Sequence, residues 1–390
     1  MNDVFVKHAA AMAQREKELE AEGIKIFRLS TTERQEFKEC RRKWDLSSLS
    51  RQGLEPKRPA TSLWFGTLIH YGLEVYYRNR DNEQAIAPWD AFEKACRESI
   101  EEIKESQGGL WEEQIQELEE SIELGVAMLR NYVDWAEVVD FKDDTGFAKV
   151  IATEQEFAVP IQDPEGNPAR FRDGNGQVWE LWLVGRFDMV VEDYDGRLWL
   201  VDHKTSKDKL DPEILILDDQ MTVYLWAAQQ IFGKPFEGVY YNVLRKKLPT
   251  VPPLVHQGKQ LSKAKNIDTT YEVYYAEIEK HGFDPSDYKE ILEILENKPN
   301  TFFQREKVRR NQHEISMAGL MLYMEGIDML NDPYIYTNPT WDCRWKCDFK
   351  ELCKAINRND DVEWMKNAMF RKRVAEGVYA REKTIEEDVK

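Results

Sequence analysis

The sequence has little cysteine, no long apolar run and too few positive charges to balance its negative ones. Each shortage removes a class of protein. Five scattered cysteines in 390 residues are an odd number and no disulfide framework, so a reducing compartment is expected. The longest nearly apolar stretch, MAGLMLYM at 317–324, falls far short of the ~20 residues a spanning helix needs. The first residues, MNDVFVKHAAAMAQREKELEAEG, hold no signal-peptide run and predict a short, charged, peripheral helix. We therefore expect a cytoplasmic protein with no membrane partner. Lys and Arg number 54 against 72 Asp and Glu, a net charge of −18. A chain this acidic does not hold polyanions indiscriminately, so any such partner has to be met at a local basic site. What is there, 42 % hydrophobic and 12 % aromatic residues, describes a globular chain, and its length suggests two domains.

Residues 61–138 have a helical pattern, clearest at Ile115, Leu118, Ile122, Val126, Leu129 and Val133, spaced by three and four. The run covers barely three heptads, which favours a packed core helix over a coiled coil. From about 149 the period changes. VIATEQEFAVPI, VWELWLVGRFDMVVED and GRLWLVDHK read as strands, with DPEGNP, DGNGQ and DYDG as turns between them. A helix is predicted over 212–232, stopped by Gly233 and Pro235, then a strand at FEGVYYNVLRK, then helix from about 271 to 330. Helices, a strand meander, a helix and another strand indicate a mixed α/β core with helical decoration.

The most informative stretch is GRFDMVVEDYDGRLWLVDHKTS. Asp202 and Lys204 share one face of a strand and His203 points to the other. A turn at Asp195 and Gly196 brings Asp188 alongside the pair. Two carboxylates and an ammonium on an apolar sheet are costly to bury without a purpose. Their oxygens suit Mg²⁺ or Mn²⁺, and the lysine can orient or help deprotonate a water and neutralise developing charge. The plain alternative is a salt bridge at a sheet edge. Gln220 and Tyr224 stand one turn apart on the following helix, able to bridge to a phosphate or orient the lysine. Upstream, Gly66 and His70 are also one turn apart.

The ordered set Gly66-x3-His70, Gly185-x2-Asp188, Asp202-x-Lys204-Thr205 and Gln220-x3-Tyr224 resembles the RecB-like branch of the PD-(D/E)XK nucleases over about residues 28–353. The resemblance implies a restriction-endonuclease-like α/β core, a mixed central sheet flanked by helices. It makes His70, Asp188 and Asp202 metal ligands and Lys204 the catalytic lysine. Gln220 and Tyr224 become the accessory motif that helps place the scissile strand. The family usually has one more acidic residue on the preceding strand. Glu154 and Glu156 both qualify on one face, and Glu156 is favoured. The histidine between Asp202 and Lys204 is atypical and receives no role.

Cys343-x3-Cys347-x5-Cys353 lies far from Cys40, while Cys96 reads as a plain buried thiol. Three clustered cysteines plus a distant one suit either zinc or an iron–sulfur cluster. The arrangement resembles the iron–sulfur nucleases of the RecB-like group, the AddB nuclease domains and the CRISPR-associated exonucleases. The first ligand's surroundings match at Ser30, Thr31, Phe37, Cys40, Arg42, Lys43 and Trp44. This resemblance implies a 4Fe–4S cluster on Cys40, Cys343, Cys347 and Cys353. Such a cluster would staple a loop of about 300 residues. Trp44, Trp341 and Trp345 are expected to shield it.

Basic residues gather at Arg41, Arg42 and Lys43, at Arg245, Lys246 and Lys247, at Arg305, Lys307, Arg309 and Arg310, and at Arg344 and Lys346. With Arg186, the first two groups are assigned to DNA contact in a phosphate-tracking groove, where Tyr240 or Tyr241 would stack on a base. The expected organisation is a peripheral helix at 1–27, the first part of an iron–sulfur subdomain at 28–60 and a helical region with the motif histidine at 61–145. The nuclease core follows at 146–250, helices at 251–335, the second iron–sulfur part at 336–360 and a charged tail at 361–390. The expected activity is Mg²⁺- or Mn²⁺-dependent exonucleolytic hydrolysis at DNA ends, single strands included, in recombination, repair or replication. The source would be a phage or a bacterium. The chain has no GxxxxGK[ST] phosphate loop, so a helicase or recombination partner would be a separate chain. The rivals are a catalytically inactive DNA-binding module of the same fold and a zinc-binding non-enzyme.

Overall fold

The computed structural model describes residues 3–57, 61–80, 82, 84–107, 109–140, 142, 146–331 and 334–374. Residues 375–390 of the expected tail lie outside the described residues. The chain begins with α1 (Asp3–Ala21), β1 (Lys25–Leu29), α2 (Thr31–Glu39), α3 (Arg41–Ser47) and β2 (Leu54–Pro56). A helical block follows as α4 (Thr61–Arg78), α5 (Pro88–Gln107) and α6 (Glu112–Val139). The meander is β3 (Lys149–Pro160), β4 (Arg170–Arg172), β5 (Val178–Glu192) and β6 (Leu198–Ser206). Next come α7 (Pro212–Ile216), α8 (Asp219–Phe232), β7 (Gly238–Arg245), β8 (Leu254–Val255), β9 (Gln260–Leu261), α9 (Tyr271–His281) and α10 (Lys289–Asn297). The remainder is β10 (Phe303–Arg309), α11 (Gln312–Leu330), α12 (Lys350–Arg358), α13 (Glu363–Met369) and β11 (Phe370–Lys372).

The central sheet runs β1-β5-β6-β7-β10, with β3 and β4 on the other edge of β5. β6 and β7 are parallel, joined through α7 and α8, while β5–β6 and β7–β10 are antiparallel. Alternation sorts the strand residues into two layers. Leu198, Leu200, Val239, Tyr241 and Val243 pack with α8 and α11 residues such as Trp226 and Leu322. Trp199, Val201, Tyr240 and Leu244 pack with α4, α5 and α6 through Leu73, Phe92 and Leu129. The sheet is therefore mixed and covered by helices on both faces, which agrees with the α/β expectation. The α6 stripe packs into this core, with Gly125 giving way to the Phe92 ring. No helix among the described residues is long and apolar enough to cross a membrane.

Local chemistry sets several boundaries. Ser30 caps α2 by accepting from the Glu33 N–H, and Asp218 caps α8 by accepting from Gln220 N–H. Gly233 ends α8 in the left-handed conformation at φ 60°. Two expectations are corrected. The helix predicted over 212–232 is broken at Leu217, where Asp218 begins a new cap. The helical stretch predicted from 271 to 330 is interrupted by β10, whose FQREKVR sequence carries no apolar alternation and becomes a strand by pairing along β7. β1, also unforeseen, is a short strand lying parallel on β5.

Candidate active site

The site opens where two strands part. β5 and β6 pair from Met189–Glu192 to Leu198–Val201 and no further, and β1 takes the same side of β5 only from Trp179 to Leu183. The alternation of β5 also breaks there. Phe187 faces one layer, and Met189 and Val191 the other, while Val190 returns to the first. Asp188 sits at this break, and its Oδ2 accepts the freed backbone N–H of His203 at 2.8 Å. Asp202 and Lys204 continue along β6, the Lys204 Nζ 2.9 Å from Asp202 Oδ2 and 3.1 Å from Oδ1.

His70, on α4, reaches the split from above. Its Nδ1 lies 3.4 Å from Asp188 Oδ2 and 3.6 Å from Glu154 Oε1. Glu154 is held in a left-handed backbone conformation, φ 43°, a strained state for a non-glycine residue. The β3–β5 ladder pairs Thr153 with Met189 and Gln155 with Phe187, skipping the Glu154–Asp188 step. Ligand atoms of His70, Glu154 and Asp188 all lie within 4.8 Å of one another. Two expectations change here. The acidic residue of β3 in the group is Glu154, because its turned backbone carries it inward; Glu156 is exposed. Asp202 is not within that close group; it is drawn to Lys204 instead.

Electrostatics follow from burial and these contacts. Burial opposes a charge on His70, but Asp188 and Glu154 outweigh it and raise its pKa to about 10. Burial likewise works against an ionised Asp188, yet the His70 imidazole holds the carboxyl well below its usual range. Asp202 is pushed up to about 7 by burial, against the pull of Lys204. Lys204 itself is raised, because Asp202 more than offsets its desolvation. Burial lowers His203 to about 3.

The donor set suits a hard divalent cation. Glu154 Oε2 binds the Arg186 Nε at 2.8 Å, whereas buried Oε1 accepts no hydrogen bond. Asp202 Oδ2 is also buried without a hydrogen bond, the off-line Lys204 ammonium being its ion-pair neighbour. Glu154 Oε1 faces His70 at 3.6 Å and Asp202 Oδ2 the Lys204 ammonium at 2.9 Å, and each buried oxygen keeps a lone pair that a divalent cation would take.

The remaining motif residues brace this arrangement. Tyr224, on α8, sets its hydroxyl against β5 at Gly185, where an added Cβ would lie 2.8 Å from it, and burial raises its pKa. A Cβ at Gly66 would lie 3.3 Å from Thr205 Oγ1, so α4 packs closely over the end of β6.

Cys40, Cys343, Cys347 and Cys353 line one cavity of about 190 Å³ together with Arg42, Lys43, Leu46 and Phe349. Among the described residues no three cysteine sulfurs lie within 4.8 Å of one another. Burial raises the thiols of Cys347 and Cys353. Trp341 and Trp345 are 80 % and 72 % exposed and do not shield the cavity, and Trp44 is buried elsewhere in the core; the apolar lining is Leu46, Pro339 and Phe349. Cys96 is fully buried, with its thiol pushed up to about 12 by burial.

Most of the basic residues are engaged within the chain. Arg41 lies over the Phe37 ring and donates to Phe37 O, and Lys43 pairs with Glu36 and Glu39. Arg245 and Lys247 both pair with Asp268. Lys246 donates to Ser62 O, and burial followed by Lys207 lowers its pKa. Arg305 and Arg310 are buried, as are Tyr240 and Tyr241, which leaves neither tyrosine free to stack on a base. Sequence spacing does not reveal such pairing, because a basic run looks the same solvated or engaged.

The chain belongs to the PD-(D/E)XK nuclease superfamily, whose family model matches residues 28–354. Members of that superfamily are nucleases that use divalent metals. No curated protein matches the chain. Among solved structures it is similar to that of SSO0001, at 13 % identity over 62 % of this chain and 81 % of the other, with a TM-score of 0.26.

Proposed function

We propose that the protein is a metal-dependent deoxyribonuclease that hydrolyses phosphodiester bonds at DNA ends, in recombination, repair or replication. The observation that carries this reading is the convergence of His70, Glu154 and Asp188 at the strand split, with Glu154 Oε1 buried and unbonded. These three residues would hold Mg²⁺ or Mn²⁺, with Asp202 beside them. The bound cation would polarise the phosphate and lower the pKa of a water. Lys204 keeps its proton next to Asp202, so it acts as a hydrogen-bond donor and a positive charge at the phosphate rather than as a base. Tyr224, whose hydroxyl packs against Gly185, keeps α8 against the split. Arg186, which pairs with Glu154, and Lys246, which reaches the start of α4 at Ser62 O, would meet the DNA backbone. Any unwinding activity would come from a separate chain.

For the four cysteines we propose a 4Fe–4S cluster. Zinc and an iron–sulfur cluster both accept four thiolates, and the one-plus-three arrangement of Cys40 with Cys343-x3-Cys347-x5-Cys353 supports the cluster. The cluster needs no redox role; it joins α3 to the α12 segment.

Digestion of end-labelled single- and double-stranded DNA with Mn²⁺ tests the activity. Glu154→Gln, Asp188→Asn and Lys204→Ala should each abolish shortening of the labelled strand. Unchanged cleavage in these variants would sink the assignment, and DNA binding without cleavage by the parent protein would favour an inactive module. Anaerobic protein should be coloured and contain iron and sulfide; a colourless, zinc-loaded sample would remove the cluster.

A further inference from the structure

Behind the strand split lies a buried polar chain that the proposed chemistry does not use. Asp140, Arg305, Tyr77, Tyr132, Asn242 and His203 run through the α4–α6 layer, and Asp140, Asn242 and His203 are all buried. Arg305 forms a close ion pair with Asp140 and donates to Tyr77 Oη at 3.3 Å and to Asn242 Oδ1 at 3.4 Å. Tyr77 and Tyr132 share a hydroxyl contact of 2.6 Å. Asn242 Nδ2 donates to Tyr132 Oη and to His203 Nδ1, the latter at 3.0 Å.

The direction of these bonds is forced. A guanidinium only donates, so Asn242 must turn its oxygen to Arg305 and its NH₂ to His203. His203 Nδ1 is then an acceptor and its ring proton sits on Nε2. Asp140 and Arg305 thus decide how His203 is held, although neither touches it.

His203 in turn touches both sides of the proposed metal group. Its ring stacks on Tyr77 at 5.9 Å and 15° and meets His70 edge-on at 5.8 Å and 85°. Residues 70 and 77 lie two turns apart on α4, so one imidazole spaces that face of the helix from β6. Its backbone N–H holds Asp188 Oδ2. Anchoring the side chain on one face fixes the peptide that presents this N–H.

We propose that His203 is a positioning residue, clamped by the Asp140–Arg305–Asn242 chain, that sets His70 against Asp188 for cation binding. This rests on the metal site proposed above. Residues behind a metal site that orient its ligands typically govern about 10–100-fold in metal affinity.

The test uses the full-length protein stripped of divalent ions, with histidine-selective ¹⁵N labelling. Comparison of the parent with His203→Phe assigns the His203 ring among the six histidines, and in the parent that ring should have a bare Nδ1 and a protonated Nε2. Asn242→Asp replaces the donor by an acceptor and should move the proton to Nδ1. Calorimetric titration with Mn²⁺ should then show affinity about 10–100-fold weaker in Asn242→Asp and His203→Phe. Cleavage should recover at raised Mn²⁺ with the KM for DNA unchanged, which a merely loosened fold would not produce. Asn242→Ala, lacking any new charge, is the second variant should Asn242→Asp fail to fold. A parent His203 protonated on Nδ1 would overturn the proposal. So would a folded Asn242 variant binding Mn²⁺ within twofold of the parent. Asp188→Asn separates the two readings: if it too binds Mn²⁺ as the parent does, the metal site itself is misplaced and the proposal falls with it.

Discussion

A Cβ on Gly185 would lie 2.8 Å from the hydroxyl of Tyr224 and 2.8 Å from the Phe157 ring. The glycine of the G-x2-D motif therefore serves α8 and β3, not only the aspartate three residues on. Gly185→Ala should destabilise the protein by about 1–3 kcal/mol through overpacking. Tyr224→Phe in the same chain relieves one of the two clashes. Urea unfolding of both single variants and the double should show a loss smaller than the sum. Strict additivity would mean that the two residues do not meet.

The pKa of His70, raised to about 10 from 6.5, gives a pH signature. A histidine stabilised in its charged form contributes fully below its unfolded pKa, about 6.5, and loses that contribution as pH rises through the folded value. The metal-free protein should thus lose melting temperature between pH 6.5 and 10, and His70→Gln should flatten that slope. A cation needs a bare ring nitrogen, so Mn²⁺ binding at pH 8 should release about one proton. Calorimetry in buffers of different ionisation enthalpy measures it.

Glu154 and Glu156 are two residues apart, yet only the first joins the His70–Asp188 group. Glu154→Gln should weaken Mn²⁺ binding by about 100-fold or more, beyond the usual effect of an outer residue. Glu156→Gln should stay within about twofold of the parent. Equal effects would mean that β3 is not turned at Glu154.

Arg305 is paired in the core with Asp140. Arg305→Met leaves that buried carboxylate with only the Arg80 ion pair at 3.4 Å and should cost about 1.5–3 kcal/mol in unfolding experiments. Salt dependence of DNA binding should be unaffected by any Arg305 variant that remains folded, because a cation inside the core neutralises no phosphate.

Much of the site was legible as a list of residues. Glycine, histidine, aspartate and lysine at these spacings name their chemistry, and the apolar alternation of β5, β6 and β7 announces the sheet that carries them. β10 was not legible, because Gln304, Arg305, Glu306 and Lys307 carry a helix-like polarity that pairing with β7 overrides. Nor was Glu154, since period two puts it beside Glu156 and only the left-handed turn of its backbone separates them. The pairing of the basic runs was not legible for a related reason: charge counts do not show that Arg245 meets Asp268.

By itself, then, the sequence determined the mixed α/β class, the order of the motifs and the identity of the ionisable groups, because these follow from local periodicity and side-chain chemistry. Tertiary structure decided which carboxylate turns toward His70, which cations are spent on internal pairs, and that Asp202 leans to Lys204. Those outcomes depend on where strands separate and what is buried beside them, and some of the contacts span much of the chain, as Arg305 and Asp140 do at 165 positions apart.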